Sequence, residues 1–92
     1  MIARIHVTDM TRYAEYMKIT PGIISRFGGR FIARDGESVT LEGPEEADRV
    51  VLIEFPSLSA AEDFYHSEEY RQTKILREGA ATAQFFAIDG VL

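Results

Sequence analysis

The segment Arg49-Val50-Val51-Leu52-Ile53-Glu54-Phe55 narrows the possible folds more than any other part of the chain. Side chains alternate across a strand, and here apolar residues occupy both parities, so neither face of this strand is suited to water. A continuous apolar run of this length marks a central strand covered on both sides. Pro56 ends it, because proline has no N–H to give to a ladder.

The rest of the chain supplies the partners for such a strand. Ile2 to Val7 alternates, with Ala3, Ile5 and Val7 on one face and Ile2, Arg4 and His6 on the other. Asp9 is placed to cap a helix whose apolar positions Met10, Tyr13, Ala14 and Met17 form one stripe. Thr20-Pro21 is expected to kink or restart that helix, which continues through Ile23, Ile24 and Phe27 and stops at Gly28-Gly29. Arg30 to Arg34 reads as a strand, Asp35-Gly36 as a tight turn, and Ser38 to Glu42 as a continuation or hairpin partner. Gly43-Pro44 then opens an acidic loop that reads as a solvated connection. Beyond Pro56, Ser57 or Ser59 begins a second helix, with Ser59 and Glu62 spaced as a capping box; a second cap at Ser67 leads through Tyr70, Lys74 and Arg77 to a stop at Gly79. Thr82 to Ile88 is the last expected strand.

Strand, helix, two strands, helix, strand has a simple closed solution. It is an α+β domain of the ferredoxin-like βαββαβ type, a four-stranded antiparallel sheet with both helices on one face, spanning residues 1–92 as a single unit. The helices are expected on the face with Ala3, Ile5, Val7, Val51, Ile53 and Phe55. The other face then presents Ile2, Val50, Leu52 and either Phe86 and Ile88 or Phe85. Exposed patches on soluble monomers rarely exceed roughly a few hundred Å². A symmetric homodimer pairing two such faces is therefore expected.

Composition excludes several functions. The chain has no cysteine, which removes disulfide frameworks, thiolate metal sites, iron–sulfur clusters and a cysteine nucleophile. A net charge of −5, with acids gathered at Glu42 to Asp48 and at Glu62 to Glu69, is the wrong sign for nucleic-acid binding. No apolar stretch suggests a membrane span and no signal-like segment follows Met1, so a cytoplasmic protein without a membrane partner is expected.

Val51-Leu52-Ile53-Glu54-Phe55-Pro56-Ser57, then Ala60-Ala61, Phe64-Tyr65, Ser67, Glu69-Tyr70 and Arg77 form a recognisable pattern with Thr20-Pro21, Gly28-Gly29-Arg30-Phe31 and Leu41-Glu42-Gly43. Over nearly its whole length the chain resembles the bacterial family called domain of unknown function 1330. The resemblance implies a dimeric α+β barrel, in which two ferredoxin-like sheets close across a dimer axis. That superfamily includes cofactor-free monooxygenases, muconolactone isomerase and heme-degrading enzymes, while the family itself has no settled activity. Asp35 stands where a second glycine is common, and His66 where Asp or Asn is usual.

Polar residues at sheet positions are the candidates for chemistry. Arg4, His6 and Glu54 share a face by alternation, and Arg34 on the neighbouring strand is expected to join them. A carboxylate in such a strand needs a cation, for which Arg34 is the first expectation and Arg4 the second. In a catalytic reading Glu54 is a general acid or base, Arg34 anchors a carboxylate or enolate, and His6 carries protons. The alternative is a set of paired charges at a dimer interface. Tyr65 and His66, with Tyr13, Tyr16 and Tyr70, are placed to rim a ligand cleft. Two histidines in distant elements give no metal-ligand spacing, and no cofactor is expected. Two functional classes remain: a cofactor-independent enzyme acting on a small organic acid or polyketide-like molecule, and a non-catalytic binding or dimerisation module.

Overall fold

The structure is a computed structural model that describes residues 1–34 and 36–91. Strand β1 (Ile2–Val7) leads into helix α1 (Met10–Arg26), capped by Asp9, whose carboxylate accepts from the Arg12 N–H at 3.2 Å. Strand β2 (Arg30–Ala33) follows, then β3 (Arg49–Glu54), helices α2 (Leu58–His66) and α3 (Glu68–Lys74), a 3₁₀ turn at Ile75–Arg77, and β4 (Ala81–Phe86). The strands form one sheet in the order β2-β3-β1-β4, and every neighbouring pair is antiparallel.

Alternation in β1 and β3 decides where the helices go. Ala3, Ile5, Val51 and Ile53 are buried against Tyr13, Tyr16, Ile23, Ile24, Phe64 and Tyr70 from the helices. Phe55, Phe31 and Phe85 pack against the same core. The opposite face carries no helix among the described residues. Its central row is Leu52, Ile2 and Phe86, directly opposite one another across β3, β1 and β4, and Phe86 is 43% exposed.

Four local expectations are corrected. Helix α1 is one element with Pro21 inside it, so of the expected kink or restart the restart does not occur; Thr20 caps no new helix but donates its hydroxyl to the Tyr16 carbonyl at 2.7 Å. The α2 cap is Ser57, which accepts from Ala60 N–H at 3.1 Å, so the Ser59–Glu62 capping box does not form. Residues 38–42 form no strand. Val39 and Leu41 are 73% and 91% exposed, so the segment's apolar side finds no burial. The last strand ends at Phe86 rather than Ile88. Of the expected turn at Asp35-Gly36, Asp35 lies outside the described residues.

Other signals match. Ser67 accepts from Tyr70 N–H at 3.1 Å and starts α3. Gly28 has φ +79°, and the Gly28 and Gly29 N–H groups close the end of α1 on the carbonyls of Ser25 and Ile24. Inside the core, the hydroxyls of Tyr16 and Tyr70 are 2.7 Å apart, and the Arg77 guanidinium lies over the rings of Tyr16 and Phe85. Burial, reinforced by the Tyr70 phenol, pushes the Tyr16 phenol well above its ordinary range, so it stays a neutral hydroxyl.

Candidate functional site

The site is built around an irregularity in β2. Arg30 pairs with Glu54 and Phe31 with Ile53, but Ala33 pairs with Leu52, so one extra residue is inserted between Phe31 and Ala33. A bulge of this kind reverses the alternation beyond it. Arg30 therefore points to the open face beside Glu54, while Arg34, past the bulge, comes round to the helix face. There its guanidinium lies 4.6 Å from the centroid of the Phe31 ring.

Arg49 reaches the same place by a simpler route. It is the first residue of β3 and stands opposite Ile5, a helix-face residue. Its Nη2 donates to Met17 Sδ at 3.3 Å, and its guanidinium lies 5.8 Å from the Tyr13 ring centroid. Arg34 and Arg49 both line a cavity of about 40 Å³ between α1 and the sheet. Tyr13, Met17, Thr20 and Pro21 supply its α1 wall, and its floor is apolar, from Ala3, Ile5, Val51 and Ile53.

The expected site residues fall into four separate places. Glu54 is paired with Arg30, not Arg34 or Arg4: Arg30 Nε donates to Glu54 Oε1 at 2.8 Å, and both side chains are exposed in the single chain. The Arg30 guanidinium holds the Glu54 carboxyl below its ordinary value by a hydrogen bond and by its charge. His6 Nδ1 is 3.2 Å from Asp48 Oδ1, and Arg4 Nε is 3.8 Å from Glu46 Oε2. Two acids of the loop expected to be merely solvated thus fold onto β1, over a groove of about 310 Å³. Tyr65 and His66 share another groove, of about 250 Å³, between α2 and β4. Their rings meet edge to face at 5.4 Å, and Lys74 Nζ donates to the Tyr65 hydroxyl at 3.1 Å. Tyr13 belongs to the core and the α1 cavity instead, and Tyr16 and Tyr70 are core as well. The expected cleft rimmed jointly by these tyrosines does not form.

Glu54 and His6 therefore lie on one face of the sheet and Arg34 on the other, so the three do not converge within one chain. Sequence reasoning missed Arg49 as a site residue. The available signal was a cation at the first position of β3, on the strand's helix-facing parity. Among the described residues no three His, Asp or Glu side chains gather as metal ligands, and no helix is long and apolar enough to cross a membrane.

Two solved structures share this arrangement. The crystal structure of the RPA0582 protein of unknown function from Rhodopseudomonas palustris superposes with a TM-score of 0.67 at 18% identity, covering 99% of this chain and 82% of that one. That of methylated RPA0582 gives 0.68 at 19%, covering 99% and 81%. At these identities the likeness is one of fold. No curated protein matches the chain. The model of the family "Domain of unknown function (DUF1330)" matches residues 1–91, and the chain belongs to that family.

Proposed function

We propose that the protein is a homodimeric binder of small organic acids, taken into the cavity between α1 and the sheet with the carboxylate on Arg34 and Arg49. The observation that carries this reading is that Arg34 and Arg49 line one small cavity with Tyr13 and Thr20, over an apolar floor. Ligand sites are commonly concave and apolar with a few placed polar groups. Guanidinium is the side chain best matched to a carboxylate, through parallel charge-assisted hydrogen bonds. A bulge that re-aims one of the two arginines is the kind of irregularity found next to functional sites. The volume, about 40 Å³, is room for about three water-sized groups, which favours a short chain.

The dimer has separate support. Ile2, Leu52 and Phe86 make an apolar row on a face without helices, flanked by the Arg30–Glu54, Arg4–Glu46 and His6–Asp48 pairs. The strand order β2-β3-β1-β4 with helices on one side supports the ferredoxin-like reading and, through it, a barrel closed by a second copy.

Isothermal titration with butyrate, hexanoate and benzoate tests the binding claim. Wild type should bind butyrate, and Arg34→Met and Arg49→Met should each weaken it at least tenfold while keeping the fold. Butyrate binding unchanged in Arg34→Met contradicts the reading. Turnover of an acid that binds, followed by mass spectrometry, would convert the binder into the enzyme of the alternative reading.

A further inference from the structure

The open face of the sheet has two ends of different character. Its apolar row crosses β1 at Ile2; Arg4 and His6 follow on the same face, roughly 7 Å and roughly 14 Å further along at about 3.4 Å per residue. The β1–β4 register sets Gln84 directly opposite Arg4 and Thr82 opposite His6. From the β3 side, Glu46 and Asp48 approach the same two residues of β1. Arg4, Glu46, Asp48, Thr82 and Gln84 line one groove of about 310 Å³, and because β4 is the last strand of the sheet the groove lies along a free edge.

Much of the hydrogen-bonding capacity of this groove is unused. Arg4 Nε and Glu46 Oε2 are 3.8 Å apart, an ion pair too long for a hydrogen bond, and a gap of that size between donor and acceptor suits a bridging oxygen. The side chains of Thr82 and Gln84 bond to no described residue. Asp48 meets His6 through Oδ1 and keeps Oδ2 for another donor. An anion in the groove would face both carboxylates, while an ammonium, which only donates, would leave the Arg4 and Gln84 donors unfilled. A hydroxyl donates and accepts at once, so several hydroxyls on one ring match the set. We propose that the groove binds a neutral cyclic polyol of monosaccharide size, one hydroxyl bridging Arg4 and Glu46 and its neighbours meeting Asp48, Thr82 and Gln84. The volume stands at the lower end of the range of small-molecule sites, about 300–1,000 Å³, and suits a single ring. This site lies on the face of the sheet opposite the α1 cavity and does not depend on the acid-binding reading.

The sequence supplies its own reporter. It has two glutamines, Gln72 and Gln84, and no asparagine, so a ¹⁵N spectrum of the protein holds two side-chain amide pairs. Gln72, on α3, donates to Glu68 at 2.9 Å and serves as the internal control. Glucose and myo-inositol are the probes, with cyclohexanol as the ring that keeps one hydroxyl. At least one of the two polyols should move the Gln84 amide along a saturating curve and leave Gln72 fixed, and cyclohexanol should bind at least tenfold more weakly. A site that offers partners to ligand hydroxyls discriminates against the analogue lacking them, because its own groups are then left unpaired. Glu46→Gln and Thr82→Val should each weaken the polyol about two- to tenfold, the loss expected of one hydrogen bond. Thr82 is exposed and its hydroxyl has no partner among the described residues, so Thr82→Val keeps the fold, which thermal unfolding checks. A Gln84 amide that stays still with both polyols, equal movement of Gln72 and Gln84, or cyclohexanol binding as tightly as the polyol would each overturn the proposal. So would a polyol affinity unchanged in both variants.

Discussion

Arg30 and Glu54 stand directly opposite each other in the β2–β3 ladder, and the Arg30 Nε donates to Glu54 Oε1 at 2.8 Å. The pair lies on the open face of the sheet. It leaves Arg34 unpaired with Glu54 and free to serve the other side of β2, where it meets the cavity.

A first prediction follows for Glu54. Its carboxyl should titrate below the ordinary glutamate range, because Arg30 favours the charged form. A lowered folded-state value means that the pair's contribution to stability is present above the unfolded value and is lost as the pH falls through the folded one. Carboxyl-carbon NMR should show the titration moving upward in Arg30→Met and staying in place in Arg34→Met. Movement in Arg34→Met would mean that the bulge does not redirect that side chain.

The tyrosine pair gives a second. Tyr70 is fully buried, its hydroxyl is 2.7 Å from that of Tyr16, and Arg77 Nη2 donates to it at 3.5 Å. Tyr70→Phe strands the Tyr16 hydroxyl in the core and removes an acceptor from a buried cation, which should cost about 1–3 kcal/mol in urea denaturation. Adding Tyr16→Phe should cost much less than the first change, since the group left unpaired is then gone. Full additivity of the two losses would show that the hydroxyls do not act as a pair.

What the sequence made legible, and what it did not, follows one physical distinction. β1 and β3 are readable because burial of one face enforces strict alternation, and the stops at Gly28 and Gly79 are readable because a positive φ selects glycine. The Ser67 start of α3 is readable from a side-chain cap. The bulge in β2 is not. Arg30-Phe31-Ile32-Ala33-Arg34 alternates as cleanly as a regular strand, and the inserted residue leaves no mark in composition, so the extrapolated parity put Arg34 beside Glu54. Ser38 to Glu42 fails for a different reason: its alternation is real, but Val39 and Leu41 stay exposed, and alternation without a buried face does not make a strand. Proline also misled at position 21, where packing of Ile23 and Ile24 into the core outweighs one lost hydrogen bond and keeps α1 continuous. Of the candidate site, Arg34 and Tyr13 were legible as residue types, but their common cavity with Arg49 depended on the bulge.

A third prediction concerns assembly. Sedimentation equilibrium at micromolar concentration should return about twice the 10.4 kDa chain mass. Leu52→Asp, in the centre of the apolar row opposite Ile2, should place an unpaired carboxylate in the contact and weaken the dimer by about 3–5 kcal/mol. Val39→Asp, on an exposed loop away from that row, should leave the dimer intact. A monomeric wild type, or a dimer indifferent to Leu52→Asp, would contradict the proposed assembly.

The central claim is that an acid enters between α1 and the sheet on Arg34 and Arg49, and arginine side-chain NMR during a butyrate titration tests it most directly. The Nε–H signals of Arg34 and Arg49 should move together with one saturation curve, while that of Arg30, held by Glu54 on the opposite face, should stay fixed. Movement of Arg30 or Arg4 with Arg34 and Arg49 unchanged would place the acid on the open face and contradict the account.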